Sequence, residues 1–221
     1  ASYRRDASSR FHPDNRWGNF GSVGLAWLIN KENFMSNVSW IDMLKFKASY
    51  GIQGNDNLGN YYAYADQYSV TNSNGDFAVS FSYKGNKDIT WETSYAFNTG
   101  FDFELFGNRL NGTVEYFNRK TVDLLYNQPV PISMGYATIP MNVGSIVNQG
   151  IEVDLNGVLY KNNNIEWLAN INATHYKNKI TDLAESAKRN GGIKYSNAIY
   201  RIGGSLYNSY MPVYAGVDPN D

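Results

Sequence analysis

The sequence predicts an all-β protein that forms a portion of an antiparallel transmembrane β-barrel, with short turns at one end of its strands and long loops at the other. Three observations predict this fold. Apolar and polar side chains alternate over unusually long stretches, short and long connections alternate between those stretches, and no segment has the apolar spacing of a long helix. The 221 residues accommodate about six to eight such strands.

The clearest alternation lies in residues 94–117, SYAFNTGFDFELFGNRLNGTVEYF. One face carries Tyr95, Phe97, Thr99, Phe101, Phe103 and Leu105, and the other carries Ala96, Asn98, Gly100, Asp102 and Glu104. Eleven residues in a strand span about 36 Å, which is well beyond an ordinary strand of about 5 to 6 residues. We predict a tight two-residue turn at Gly107 and Asn108, followed by an antiparallel partner strand.

The same alternation recurs along the chain. Strands are predicted at residues 17–29, 44–51, 89–106, 109–122, 148–160 and 165–180. Residues 52–88, 123–147 and 181 onward are then long loops, whereas residues 30–43 and a turn from Lys161 to Asn164 lie at the other end.

Two segments between the strands predict local structure of another kind. Ser39 in SNVSWIDMLKF is a candidate N-cap, with Asp42 three residues later, and predicts a single helical turn. Pro129 and Pro131 in QPVPISMGY predict an extended loop rather than a strand, because proline donates no backbone hydrogen bond.

The composition excludes several functions. Charges nearly balance at a net −1 and the chain has no cysteine, so neither nucleic-acid binding nor a cysteine-based zinc or redox site is expected. The only two histidines, His12 and His175, lie far apart, which argues against a metal site. No cofactor is predicted. No apolar run reaches the roughly 18 residues of a membrane-spanning helix, and the 18 tyrosines are typical of a boundary between apolar and aqueous regions or of a sugar-binding surface.

Two groups of side chains are candidate sites. The carboxylates Asp102, Glu104, Glu115, Glu152 and Asp154 are spaced such that pairs of them share a face, as acid-base cleavage of a glycoside requires. The favoured interpretation is that they belong to the polar faces of half-solvated strands. The loop sequence YYAYADQY contains Tyr61, Tyr62, Tyr64 and Tyr68, whose rings either stack on a substrate or pack the loop itself.

A cluster of arginines precedes the first predicted strand. Arg4, Arg5, Arg10 and Arg16 lie close to Asp6 and Asp14, which predicts local ion pairs. Lipopolysaccharide phosphates are a lesser candidate partner for this cluster.

Several stretches resemble the SusC/RagA family of TonB-dependent outer-membrane transporters of Bacteroidetes. They are RRDASSRFHPDNRWGNFGSVGLAW, LKFKASYGIQGNDNLGNY, WETSYAFNTGFDFELFGNRLNGTVEYFNRKTVDLLYNQPVP, NVGSIVNQGIEVDLNG and YAGVDPND. The resemblance implies a barrel of about 22 strands around an N-terminal plug. It also implies import of an oligosaccharide, glycan or peptide across the bacterial outer membrane, energised by the TonB–ExbB–ExbD complex and assisted by a SusD-like surface lipoprotein, with no enzymatic activity.

On this basis residues 1–221 are expected to lie wholly within the barrel domain, with the plug, the TonB box and the early and final strands outside this chain. The side chains expected to contact lipid are Phe97, Phe101, Phe103, Val114, Val153, Leu155, Trp167 and Ile171. Those expected to face the lumen or plug are Asp102, Glu104, Glu115, Glu152 and Asp154. The long loops are then extracellular, and Gly107 and Asn108 mark the periplasmic side.

The alternative is a soluble or surface-attached β-sandwich that binds glycan, and a glycosidase on a β scaffold is a third hypothesis. Sandwich strands of about 5 to 6 residues with turns every 8 to 12 residues do not match the long alternation described above.

Overall fold

The computed structural model describes residues 1–73, 75–214 and 216. Most of the stretch YAGVDPND therefore lies outside the described residues. The strands are β1 (Ser2–Ala7), β2 (Trp17–Leu28), β3 (Ile41–Asn55), β4 (Gln67–Ser73), β5 (Asp76–Tyr83), β6 (Glu92–Leu105), β7 (Leu110–Val122), β8 (Leu125–Pro129), β9 (Thr138–Asn142), β10 (Ser145–Lys161), β11 (Glu166–Asp182), β12 (Ile193–Tyr195) and β13 (Ala198–Tyr200). The helices are α1 (Glu185–Arg189) and three single 3-10 turns at Ile29–Lys31, Asn33–Met35 and Ile132–Met134.

Seven of these strands form one antiparallel sheet in the order β1-β2-β3-β6-β7-β10-β11. Hydrogen bonds join each strand to its neighbours, but β1 and β11 do not pair with each other, so the described residues do not close a barrel. The six predicted strands are all present, and β1 is an addition that the sequence did not reveal. The predicted fold class, a portion of an antiparallel barrel wall, is confirmed.

The strands are long because the alternation that defines their faces is long. β10 and β11 each contain 17 residues and β6 contains 14. At about 3.3 Å per residue, 17 residues span about 56 Å. At the tilt of about 40° found in barrels, the height is about 43 Å, which exceeds the apolar thickness of a membrane. The sheet therefore has room for an apolar belt and for polar ends beyond it.

From β2 to β11 the connections alternate in length as predicted. The short connections are residues 29–40, 106–109 and 162–165, and the long ones at the opposite end are residues 56–91 and 123–144. The long connections contain hairpins of their own, β4–β5 and β8–β9, and the pair β12–β13 follows β11. These hairpins were not predicted, because their alternation covers only 3 to 8 residues per strand.

The predicted two-residue turn at Gly107 and Asn108 is wrong in length. Leu105 pairs with Leu110, so the loop contains four residues. Phe106, Gly107 and Asn108 have left-handed φ angles of 59°, 67° and 61°. The backbone N–H of Phe106 donates to the Trp40 carbonyl at 2.8 Å, and that of Asn108 donates to the Asp42 carboxylate at 3.0 Å. These bonds, to Trp40 in the neighbouring connection and to Asp42 in β3, hold a conformation that non-glycine residues rarely adopt.

Three other local predictions are corrected. Ser39 caps no helix, since the 3-10 turns end before it and β3 begins at Ile41. Pro129 ends a strand, paired with Thr138 at the margin of the β8–β9 hairpin, where a missing N–H is tolerated. The turn predicted from Lys161 begins one residue later, because Lys161 still pairs with Glu166.

The most deeply buried apolar side chains lie at the long-loop end of the molecule, in the connections and near the end of β11, where Ile180 is 1% exposed. Phe11, Ala63 and Ile89 are completely buried. The Trp91 ring packs edge-on against Phe11 and Phe20, with centroids 5.4 and 5.1 Å apart, and its indole N–H donates to the Arg16 carbonyl at 3.0 Å. Among the described residues, no helix is long and apolar enough to cross a membrane.

Candidate functional site

One face of the seven-stranded sheet carries a continuous apolar band. The register aligns the row Trp27, Phe46, Phe101, Val114, Val153 and Ala173 across six strands. The side chains are exposed all the same: Phe101 retains 43% of its accessible surface and Ile171 57%. A water-soluble protein would cover so large an apolar surface with a second layer. The eight residues predicted to contact lipid all lie on this face.

Aromatic side chains flank the apolar band at the short-turn end. Trp40 stacks on Phe106 with ring centroids 5.6 Å apart, and Trp27 packs edge-on against Phe34 at 6.4 Å. Tyr160 pairs with Trp167 across a bulge in the β10–β11 register. Tyr50 and Tyr116 lie towards the other end of the same face. Such girdles are typical of membrane interfaces.

The opposite face is polar and contains a network of ion pairs. The Asp102 carboxylate lies 3.1 Å from the Lys45 ammonium and 3.0 Å from that of Lys47, and the Thr113 hydroxyl donates to it at 3.0 Å. Lys47 also lies 3.0 Å from Glu115. The register brings these side chains together from β3, β6 and β7, since Lys45 faces Asp102 and Asp102 faces Thr113. The network ties three strands together on this face.

All five carboxylates singled out from the sequence share this polar face. Glu152 lies directly opposite Glu115 in register and lines a shallow cleft of about 510 Å³ with Arg119. Asp154 accepts a hydrogen bond from Asn156 at 2.7 Å. A ladder of amides continues from there, in which Asn170 donates to Asn156. The geometry provides a hydrated surface, and Asp102 is held in ion pairs rather than left free.

The four loop tyrosines do not form one cluster. The Arg10 guanidinium lies over the Tyr61 ring, 4.8 Å from its centroid, and the Tyr64 ring packs edge-on against His12 at 5.9 Å. Tyr68 lies apart from these, in β4, and packs against Phe81 at 5.6 Å. Tyr61 and Tyr62 remain mostly exposed, although Arg10 covers one face of the Tyr61 ring.

Only some of the ion pairs predicted for the arginine cluster are present in the structure. Arg4 does pair with Asp6, at 2.8 Å. Arg10, however, approaches Asp56 at 3.8 Å and donates to the Asn57 side chain at 3.0 Å. Asp14 lies 3.2 Å from His12 instead.

An ion pair orders the base of the β4–β5 hairpin. The Lys84 ammonium lies 2.9 Å from the Asp66 carboxylate, which also accepts from the Gly85 N–H at 2.9 Å. These hydrogen bonds hold the pKa of Asp66 below its usual value and raise that of Lys84.

The β4–β5 hairpin has an exposed apolar face that was not predicted from the sequence. Tyr68 is opposite Phe81 and Val70 is opposite Val79, whereas Ser69 and Ser80 hydrogen-bond on the other face. Val70 and Val79 are 63% and 65% exposed. The alternation of apolar and polar residues between 67 and 83 is the sequence pattern that indicates this face. Exposed apolar patches of this kind mark interaction surfaces.

Within the described ranges, no group of three or more histidine, cysteine, aspartate or glutamate side chains could hold a metal ion.

The fold and its two faces define a class of protein, the wall of a transmembrane β-barrel with elaborated loops at one end. The family described as TonB dependent receptor-like, beta-barrel matches residues 1–220. This chain belongs to that family, whose members related to SusC and RagA are outer-membrane proteins of Gram-negative bacteria.

Two curated relatives support the resemblance noted in the sequence. The chain is 36% identical over 213 residues to the TonB-dependent receptor P39 of Formosa agariphila, covering 95% of this chain and 20% of that protein. It is 34% identical over 188 residues to the TonB-dependent receptor SusC of Bacteroides thetaiotaomicron, covering 81% and 19% respectively. The chain thus spans about a fifth of the length of these relatives.

Solved structures show the same architecture. The RagAB peptide importer in its closed-closed state superposes with a TM-score of 0.88 and 32% identity, covering 99% of this chain and 24% of the chain it matches. The RagAB peptide transporter superposes with a TM-score of 0.84, again at 32% identity, covering 95% and 23%. The predicted SusC/RagA resemblance is confirmed.

Proposed function

We propose that this chain forms part of the wall and the extracellular loops of a TonB-dependent importer in the bacterial outer membrane. The observation that carries the proposal is the register that places apolar side chains from six strands on one face and the ion-paired polar network on the other. The apolar face then contacts lipid, and Asp102, Glu104, Glu115, Glu152 and Asp154 face the hydrated lumen or the plug. The plug, the TonB box and the remaining strands belong to the rest of the polypeptide.

The cargo is an oligosaccharide or a peptide. The similar RagAB structures are of a peptide transporter or importer, which favours a peptide as the cargo of this protein. The exposed rings of Tyr61 and Tyr62, together with Tyr64 and Tyr68, favour stacking against a sugar. These loop tyrosines are the proposed substrate contacts at the mouth of the barrel.

The partners are a SusD-like surface lipoprotein and the TonB–ExbB–ExbD complex. The exposed apolar face of the β4–β5 hairpin, defined by Tyr68, Val70, Phe77, Val79 and Phe81, is the proposed contact for the lipoprotein. The hairpin lies at the long-loop end, where such a lid would be seated.

A β-sandwich or a glycosidase fits the structure less well. A sandwich requires a second sheet over the apolar face, and in the described residues that face is uncovered. The Asp102 carboxylate is held in ion pairs with Lys45 and Lys47, whereas an acid catalyst must be free to protonate a leaving group. We therefore propose transport and no enzymatic activity.

The test uses the full-length protein in its native host. Membranes are fractionated, and uptake of a fluorescent peptide pool and of a fluorescent oligosaccharide pool is measured with and without functional TonB. The expected result is recovery in the outer-membrane fraction and uptake of one pool that disappears without TonB. Recovery in the aqueous fraction, or uptake that is independent of both TonB and this protein, would contradict the proposal.

A further inference from the structure

Three lysines lie beyond the apolar band on its own face of the sheet. Lys120 in β7 and Lys179 in β11 flank Val147 in the same row, and Lys177 lies in the adjacent row with Gln149 and Asn118. Strands are about 4.8 Å apart, so the Cα atoms of Lys120 and Lys179 are separated by about 10 Å. Lys177 and Lys179 are two residues apart, or about 7 Å. Three ammonium groups at this spacing can reach one ligand group.

The lysines line a cleft of about 1010 Å³ that has no carboxylate among its lining residues in the described chain. One wall is a returning segment held to the edge of β11. The Gly203 N–H donates to the Ile180 carbonyl and the Ile180 N–H to the Gly204 carbonyl, both at 2.8 Å. None of the three lysines has a carboxylate partner within 4.0 Å among the described residues, in contrast to Lys45 and Lys47 on the other face.

The position of the cleft relative to the apolar band identifies its surroundings. Tyr116 is the last ring of the band on β7, and Lys120 lies four residues further towards the long loops. Four residues correspond to about 13 Å along the strand, or about 10 Å in height at a tilt of about 40°. The headgroup layer occupies about 5 to 8 Å beyond the hydrocarbon on each side of a bilayer. The long lysine side chains reach it by extending back towards the interface.

We propose that this cleft binds a phosphate group of an outer-leaflet lipid headgroup. Unpaired ammonium groups beside a membrane attract anionic lipid, and Asn118, which donates to Gln149 at 3.1 Å, adds polar atoms to the same surface. The site is on the outside of the wall and is therefore separate from the import path. This inference rests on the proposed function, since the lysines meet lipid only if the apolar face does.

The test measures lipid retention by the full-length protein purified in detergent. The probes are bisphosphorylated lipid A, the same lipid with both phosphates removed, and inorganic phosphate as a competitor. The affected variant carries Lys120→Gln, Lys177→Gln and Lys179→Gln together. The matched control carries Lys31→Gln, Lys87→Gln and Lys161→Gln, which remove three exposed lysines elsewhere. A third protein replaces the three cleft lysines with arginine.

We expect wild type and the control to bind the bisphosphorylated lipid at least tenfold more tightly than the dephosphorylated lipid. Each lysine near an anionic headgroup contributes about fivefold, so the cleft variant should lose on the order of a hundredfold, and arginine should restore binding. Equal retention of both lipids, or an unaffected cleft variant, would overturn the proposal. Displacement by millimolar inorganic phosphate would identify a site for free phosphate instead.

A second readout separates this proposal from the proposed function. Each variant is checked for heat-modifiable mobility on gels and for recovery in the outer membrane. If wild type is inserted in the outer membrane and transports cargo, yet does not discriminate between the two lipids, only the lipid site is refuted. If wild type is absent from the outer membrane, the proposed function itself is refuted.

Discussion

Replacing Leu155 with arginine tests the orientation of the sheet directly. Leu155 is on the apolar face, midway between Ile151 and Leu159 on β10, and pairs with Gly112 and Ile171. The nine residues from Ile151 to Leu159 cover about 27 Å along the strand. At a tilt of about 40° this is about 20 Å in height, close to the apolar band of about 25 Å in known barrels. Leu155 therefore lies near the middle of the membrane, where a charge has the highest cost.

The expected loss of folding free energy for Leu155→Arg, beyond that for Leu155→Ala, is about 2 to 4 kcal/mol. This corresponds to about a 30- to 900-fold change in the folding equilibrium. The alanine variant removes the packing of Leu155 over Gly112, which is close enough that a Cβ built on Gly112 would lie 2.9 Å from the leucine Cδ2. The difference in unfolding free energy between the arginine and alanine variants therefore isolates the cost of the arginine charge. Asn156→Arg places the same charge at the next residue, on the polar face, and should lower the folding free energy by no more than about 1 kcal/mol.

The measurement is urea-induced unfolding of the full-length protein in lipid vesicles, followed by tryptophan fluorescence, with unheated gel mobility as an independent measure of the folded fraction. The two arginine variants are compared with their parent under identical conditions. A larger loss for Asn156→Arg than for Leu155→Arg would mean that the faces are assigned the wrong way round. Equal and small losses would mean that neither face meets hydrocarbon.

Three further predictions concern the polar face and the loops. Lys47→Met should destabilise the folded barrel by about 1 to 2 kcal/mol in the same urea assay, because two partly exposed carboxylates lose a shared cation. The control Lys47→Arg keeps the cation and should unfold close to wild type. An unaltered unfolding midpoint for Lys47→Met would contradict the prediction. Because the pKa of Asp66 is lowered by its bond to Lys84, that contact is present above the ordinary carboxyl value of 3.8 and is lost as pH falls through the lowered value. Pepsin should thus cut the β4–β5 hairpin faster at lower pH in wild type, and Asp66→Asn should be cut rapidly throughout, whereas identical cleavage of both proteins would refute the role of the contact. Val70→Asp with Val79→Asp should abolish co-purification of the lid lipoprotein while leaving gel mobility unchanged; undiminished co-purification would exclude this face as the contact.

The long strands could be predicted from the sequence because period-two alternation is a local property. Phe97, Phe101 and Phe103 share a face whichever strand lies beside them, since successive side chains point in opposite directions. The same reasoning fails for β1 and for the hairpins in the long loops. There the alternation is short, and the hairpins make tertiary contacts such as that of Phe81 in β5 with Tyr136 between β8 and β9.

The candidate sites also contain some features that the sequence predicts and others that only the tertiary structure shows. The shared polar face of Asp102 and Glu115 follows from their spacing and from antiparallel pairing. Their joint contact with Lys47 does not, because Lys47 is 55 residues before Asp102 and 68 before Glu115 in the chain. The tertiary structure also separates the loop tyrosines of YYAYADQY, because Tyr64 contacts His12 whereas Tyr68 belongs to β4.

The sequence by itself determined the class of fold, the alternation of short and long connections, and the chemical character of each face. These features depend on residue order within about 20 positions and on the geometry of an extended chain. Only the tertiary structure decided which strands pair across the long connections, and in what register. That register aligns Lys120 with Val147 and Lys179, three positions that no local pattern relates. Long-range pairing places them in one row because every backbone hydrogen bond in the sheet must be satisfied by an adjacent strand.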